Sequence, residues 1–361
     1  MHRLLLICLY LVGVFAKNKT LLSAKFKHWR TSKAGLAAEK LGFIQRNWTE
    51  EEYLRRYFNG KIRLQKLRDA YPLAQFDLTQ FSLLSHDEFR SFVDPELNFT
   101  FNASSIERYG YLTSNWSILT TDNDTWRINV QAGTVVAPPK PKKGNIKTPA
   151  TFTIDHSGCL TPPRNQGRCG SCWAFASTSA IEGAYCVKHN KRIALSEQYM
   201  ASCDTSNFGC GGGSIPNALS FARTGMCTLE AQPFRSGATG KISACMRCSS
   251  TIHTGINGYR KVTSNVAAFQ AALAKSPIAV AVSAGNRVWQ HYTGGILTAE
   301  VNASAPVDHG VTIVGYGIAN NTLVWKIRNS WGTNWGEDGY LLLAANTNLF
   351  SVLNQGFVPV L

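Results

Sequence analysis

The stretch Asn165-Gln-Gly-Arg-Cys-Gly-Ser-Cys-Trp-Ala-Phe175 decides how the rest of the chain is read. Gly170 is a turn former, and Ser171-Cys172-Trp173-Ala174-Phe175-Ala176 then opens an Ala-rich run reaching about His189. Ala, Phe and Ile along that run predict a buried helix. A cysteine at its start would lie where unpaired backbone N–H groups carry about half a positive charge. That charge favours the thiolate, the form in which sulfur attacks a carbonyl or binds a metal. Before this point the text is helix-like and charged, and well after it the text becomes strand-like.

Two later segments belong with the first: Val307-Asp308-His309-Gly310 and Arg328-Asn329-Ser330-Trp331-Gly332. In this order the three segments resemble the papain/cathepsin family of cysteine proteases, whose signature is C-G-[SA]-C-[WY] with a His and an Asn downstream. The resemblance covers residues 148–361. It implies an α+β, papain-like fold of two halves, one helical and one an antiparallel β-sheet or barrel, with the active-site cleft between them. It also implies a cysteine endopeptidase working through a thioester acyl-enzyme, with no cofactor and no metal.

The chemistry of the residues points the same way. Cys172 is the nucleophile, activated by the helix start and by an imidazolium at His309. Asn329 holds the ring by accepting from its other N–H, without adding charge to an already ionic pair. Trp331 covers that bond from water. The backbone N–H of Cys172 and the side-chain amide of Gln166 face the oxyanion, where loss of one donor costs about 10²- to 10³-fold in rate.

Working outward, residues 1–16 read as a secretory signal, with His2 and Arg3, an apolar run from Leu4 to Val14, and Ala16 before the cut. That run is too short for a bilayer span, which takes about 20 residues. Eight N-x-S/T sequons, at Asn18, Asn47, Asn98, Asn102, Asn115, Asn123, Asn302 and Asn320, agree with a secretory route. So do nine cysteines between Cys159 and Cys248, an odd number that leaves at least one thiol unpaired. The expected destination is the lysosome, another acidic vesicle or the extracellular space. The net charge of +15 reads as a solubility feature. The densest basic run, Lys140 to Lys147, is Pro-rich and lacks the aromatics of a nucleic-acid face, so no nucleic-acid partner is expected.

Three regions follow the signal. Residues 17–95 are charged, cysteine-free and predicted helical over Trp48–Ala70. Residues 96–147 are polar and end in Pro138, Pro139 and Pro141, an extended connector open to proteolysis. Residues 148–361 are long enough for one compact domain, the expected peptidase domain. Within it, Pro277–Val282, Gly310–Val314, Leu323–Arg328 and Gly339–Leu343 read as strands.

The family resemblance implies further roles. Cys169 would pair with Cys210 and Cys203 with Cys245. Cys159, Cys186, Cys227 and Cys248 are extra, with three possible pairings. Gly211, Gly212 and Gly213 would admit an extended peptide. Ile215, Ala281 and Val307 would line the pocket for the second residue before the cut, which would then prefer an apolar side chain. Asp77-Leu-Thr-Gln-Phe-Ser-Leu-Leu-Ser-His-Asp-Glu-Phe89 resembles the end of cathepsin-L-type propeptides, with Thr79 and Leu83 at two positions where the family has Asn and Asp. Residues 17–95 would thus be an inhibitory propeptide and the mature chain would start near Thr148-Pro149. Expected partners are peptide and protein substrates, the chain's own propeptide and cystatin-type inhibitors, acting on a monomer. The short Cys227–Cys248 stretch has no paired-His loop to block the cleft, which favours an endopeptidase. Three rivals are weaker. A redox site at Cys169-Gly-Ser-Cys172 leaves His309 and Asn329 without a task. A zinc site would need its C-x-x-C pairs roughly 15–20 residues apart, and these lie much farther apart. A catalytically inactive papain-like binding protein would have lost Cys172 or His309.

Overall fold

The computed structural model describes residues 20–93, 118–120, 126–128, 148–300 and 305–361. The expected signal and most of the expected connector lie outside the described residues. Within the connector stretch, Ile118–Thr120 and Trp126–Ile128 pair as two short antiparallel strands.

Four helices lead the chain: α1 (20–30), α2 (Lys33–Lys40), α3 (Glu50–Ala70) and α4 (His86–Val93). The long helix starts at Glu50, two residues after the expected Trp48, because Thr49 is its cap: its hydroxyl accepts from the Glu52 N–H. Glu50, Glu51 and Glu52 fill the first turn, where the helix dipole favours negative charge. A three-residue strand, β1 (Ala74–Phe76), lies between α3 and α4.

Helices α5 (Cys172–His189), α6 (Glu197–Cys203) and α7 (Ile215–Phe221) build one half. The first of these is buried almost all round, as its Ala-rich composition predicts. It stops at Asn190, which takes the left-handed conformation with φ 50°.

The other half is a sheet of β2 (Ala150–Asp155), β3 (Gly258–Lys261), β4 (Ile278–Val282), β5 (Tyr292–Leu297), β6 (His309–Ala319), β7 (Thr322–Arg328), β8 (Tyr340–Ala344) and β9 (Gly356–Val360). Helices α8 (Val266–Leu273) and α9 (Arg287–His291) flank it. The strand order is β1-β5-β8-β7-β6-β4-β9-β3, with β2 on β6, so the leading region adds a strand to the sheet's edge. Neighbours run antiparallel except β5 and β8, which are parallel through Leu342–Ile296 and Leu343–Leu297.

The helical half has its own core around Trp173, Ile181, Met200 and Leu219. The sheet half packs around Phe269, Trp289, Trp325 and Leu341. Phe26, Trp29, Tyr57, Phe81 and Phe89 of the leading region join the sheet-half core and not the helical one. Four disulfides, Cys159–Cys186, Cys169–Cys210, Cys203–Cys245 and Cys227–Cys248, brace the helical half. The extra four cysteines thus take one of the three open pairings. Loops of 21 to 42 residues make each bridge worth about 3–4 kcal/mol.

Candidate active site

Cys172 is the first residue of α5, the one free cysteine among the described residues, and buried. His309 is the first residue of β6, and β6 packs on α5: the Thr312 hydroxyl donates to the Ala176 carbonyl at 3.2 Å. Gly310 permits the approach, since a Cβ there would lie 3.1 Å from the carbonyl carbon and oxygen of Cys172. The helix start that carries the sulfur and the strand start that carries the imidazole are thereby held close together.

Asn329 follows β7. Its Oδ1 accepts from His309 Nε2 at 2.8 Å and from the Ser330 N–H at 2.7 Å. With Nε2 engaged, Nδ1 is the ring nitrogen left for a thiol, and it is buried without a hydrogen-bond partner. Trp331 is fully buried and stacks on the imidazole at 4.8 Å with 28° between the planes. Gln166 is fully buried too: its Nε2 donates to the Cys169 carbonyl at 2.9 Å and its Oε1 accepts from the Ser330 hydroxyl at 2.6 Å.

Burial pushes the Cys172 thiol up to about 11, although the N–H groups of Gly310 and Trp173 pull it down. Burial likewise takes His309 down to about 4, against the bond to Asn329. Both shifts favour the neutral partners in this closed form.

The expected peptide-contact residues divide. Ala281 and Val307 are half-buried, whereas Ile215 is sunk in the helical core beside Trp173. Gly212 has a φ of 111°. At Gly213 the lack of a side chain serves the fold itself: a Cβ would meet Trp173 and Asn207 Oδ1 at 2.7 Å. At Gly211 the nearest atom would be Phe208 Cβ at 3.5 Å, so that backbone stays open. Cys169 is bonded to Cys210, so Cys169 and Cys172 are not a dithiol.

Several further residues surround the site. Asp308 accepts from the N–H groups of Ala284 and Gly285 at 2.6 and 3.0 Å, clamping the loop after β4 beside the histidine. Trp289 and Trp335 stack at 5.7 Å and both stand edge-on to Trp331. The Trp331/Trp335 spacing was a visible signal for the latter; nothing local marks Trp289 or the Asp308 clamp. From the leading region, Phe81 and Phe89 set their rings edge-on to Trp331 at 5.1 and 5.7 Å. Gln80 Nε2 donates to the Trp331 carbonyl at 3.0 Å. Gln290 of α9 reaches back to the carbonyls of Phe81 and Leu84 at 2.9 and 3.1 Å. Among the described residues no cluster of three His, Cys, Asp or Glu could hold a metal ion. Nor is any helix among them long and apolar enough to cross a membrane.

A thiol at a helix start, an imidazole tethered to a buried amide, and an indole over that tether thus come together between a helical and a sheet half. The chain belongs to the papain family of cysteine proteases, whose family model, described as "Papain family cysteine protease", matches residues 148–360. It is 39% identical over 204 residues to germination-specific cysteine protease 1 of Arabidopsis thaliana, covering 55% of this chain and 53% of that one. It is 37% identical over 206 residues to cathepsin K of Mus musculus, covering 56% and 61%. The chain thus spans little more than half the length of these curated relatives. Its fold resembles digestive procathepsin L 3 from the larval midgut of Tenebrio molitor, with TM-score 0.65 and 23% identity over 92% of this chain and all of that one. Bromelain of Ananas comosus in complex with the E64 inhibitor superposes with TM-score 0.52 at 31% identity, over 58% of this chain and 98% of that one.

Proposed function

We propose that this chain is a cysteine endopeptidase made as a self-inhibited zymogen, with residues 17–95 as inhibitory propeptide, 96–147 as connector and 148–361 as peptidase domain. The observation that carries the reading is the His309 Nε2 to Asn329 Oδ1 bond beside the free thiol that opens α5. Cys172 attacks the scissile carbonyl through sulfur. His309 takes the thiol proton and later gives it to the leaving amine, and water releases the thioester. Gln166 Nε2 has two hydrogens and spends one on Cys169, leaving one for the oxyanion beside the N–H of Cys172. Gly211 and Gly212 admit the substrate backbone, and Ala281 and Val307 give the second residue before the cut an apolar wall.

The propeptide reading rests on Phe81 and Phe89, both fully buried against Trp331. Burial of each ring contributes about 1.5–3 kcal/mol. They hold the leading region on the indole that caps His309. Cystatin-type inhibitors and peptide substrates would compete for the same cleft, in an acidic vesicle or outside the cell.

A peptide with an apolar second residue before the cut should be hydrolysed under mildly acidic, reducing conditions, and a thiol-reactive epoxide should label Cys172. Cys172→Ser should abolish turnover; full peptidase activity in that variant would sink the assignment. A proenzyme as active as its processed form would remove the zymogen half of the reading. An inactive papain-like binding protein would instead leave every peptide uncut while still taking the epoxide.

A further inference from the structure

We infer that Glu337 is a binding site for the α-ammonium group of the mature chain, created when the peptide bond before Thr148 is hydrolysed; this rests on the zymogen reading above. Glu337 lies in the turn between Trp335 and β8, half-buried. Its Oε1 accepts from the Gly295 N–H at 2.9 Å. Both carboxylate oxygens face the Thr148 backbone nitrogen, at 3.3 and 3.4 Å, and the Thr148 hydroxyl also donates to Oε1. These partners carry no positive charge. A single peptide N–H shared between two oxygens at such distances satisfies neither well. An ammonium, with three hydrogens and a full charge, suits the same geometry far better.

The sequence supplies a reason to cut there. Asn145-Ile146-Lys147 precedes Thr148, so Ile146 is the second residue before the cut, where an apolar side chain is expected to be preferred. The peptidase can therefore process its own chain at this bond. The balance is simple. The C–N bond between Lys147 and Thr148 breaks, the oxygen of one water ends on the Lys147 carbonyl carbon, and both its hydrogens end on the Thr148 nitrogen. The products are a carboxylate and an ammonium.

The position of the site gives the pair a consequence. Gly295, held by the same carboxylate, is paired with Ala74 of β1, the strand that the propeptide contributes to the sheet. When the propeptide leaves, β5 becomes an edge strand. The new ammonium then tightens the clasp that joins β5 to the start of the mature chain, so cleavage favours its own product state. Besides Thr148 and the Gly295 N–H, the Tyr292 phenol of β5 lies within electrostatic reach of Glu337, and the Gln75 side chain of β1 borders Gly294 beside it.

The test uses mature enzyme processed from proenzyme and then alkylated at Cys172 to stop autolysis. N-terminal sequencing should begin at Thr148. The amine, labelled by reductive methylation with carbon-13, is titrated by NMR in the folded protein and again after unfolding. An α-amine ordinarily titrates near 7.7–8.0, and the folded-state value should lie above the unfolded one by on the order of one unit. Glu337→Gln should abolish that difference. It should also lower the melting temperature of the mature form by roughly 2–4 °C more than that of proenzyme kept uncut by Cys172→Ala. A different first residue, or a wild-type amine titrating alike folded and unfolded, overturns the proposal, and neither result depends on the variant folding. Failure of the zymogen reading shows separately, as full peptidase activity before any cleavage.

Discussion

Cys172 and His309 are displaced in opposite directions by one cause. Burial holds the thiol up near 11 and the imidazole down near 4, so between those values both partners of the closed form are neutral. Attack needs thiolate, and the groups arranged to produce it, the N–H donors of Gly310 and Trp173 on sulfur and Asn329 on the ring, are outweighed while water is excluded. Opening the cleft weakens the burial penalty and leaves those donors in place, so the pair should ionise on activation. Alkylation of Cys172 by iodoacetamide should therefore accelerate in the proenzyme only as pH climbs toward about 11, and from a much lower pH in the processed form. Coincident pH–rate curves for the two forms would show that burial is not the switch. That Cys172, His309, Asn329 and Gln166 belong together was legible in the sequence because the segments carrying them match one family's motif, and the structure brings His309 to Asn329 and Gln166 to Ser330. The contact of Gln80 and the backbone partners of Asp308, a residue expected to be structural or specificity-tuning, were not legible, because each is set by backbone far along the chain.

At the scale of elements, the leading region proposed as propeptide is held together by α3 and α4 before it can hold anything else. Arg56 of α3 bonds Glu88 of α4 at 2.6 Å and sits over the Trp48 ring at 4.1 Å; a further ion pair joins it to Glu52. Glu88 also accepts from the Ser85 N–H at 2.7 Å, which starts the helix that carries Phe89. Both partners are nearly buried, so Arg56→Ala strands a carboxylate at a cost of roughly 3–5 kcal/mol. The variant proenzyme should cleave peptide before processing, where the wild type should not, as read by a fluorogenic substrate with a gel to track chain length. Silent Arg56→Ala proenzyme would mean that α4 keeps its place by aromatic packing alone. The long helices α3 and α5 and the strands β4, β6, β7 and β8 could be read from composition and periodicity, since each carries its own pattern. The edge strand β1 could not. Three residues have no intrinsic strand stability, and β1 exists because β5, more than two hundred residues later, offers it Gly294 and Gly295. The parallel register of β5 on β8 is hidden for the same reason.

Across the whole molecule, the two halves meet over a set of buried charges. Arg164 pairs with Glu182 of α5 at 2.6 Å and Glu197 of α6 at 3.0 Å, while Arg328, at the end of β7, bonds the Ser179 hydroxyl of α5 at 3.2 Å. Burial, reinforced by the charge of Glu182, pushes Glu197 up to about 7 against the pull of Arg164 and Arg328. A carboxyl group with a raised value in the folded state binds its proton more tightly there than in the unfolded chain, where about 4.3 is ordinary. Between roughly 4.3 and 7 the folded protein therefore carries the extra proton, and by linkage its stability declines as pH rises through that window and levels off above it. Glu197→Gln keeps the shape and an N–H donor but cannot titrate, so it should flatten the profile. The check is a series of thermal melts of mature enzyme blocked at Cys172, from pH 4.5 to 7.5, for wild type and variant. A wild-type melting temperature that rises with pH, or a variant with the wild-type slope, would remove Glu197 as the cause. If the slope is as expected, the fold itself favours an acidic vesicle over neutral surroundings outside the cell: the interior that joins its halves is most stable with Glu197 protonated, and loosens as the protein is carried toward neutral pH.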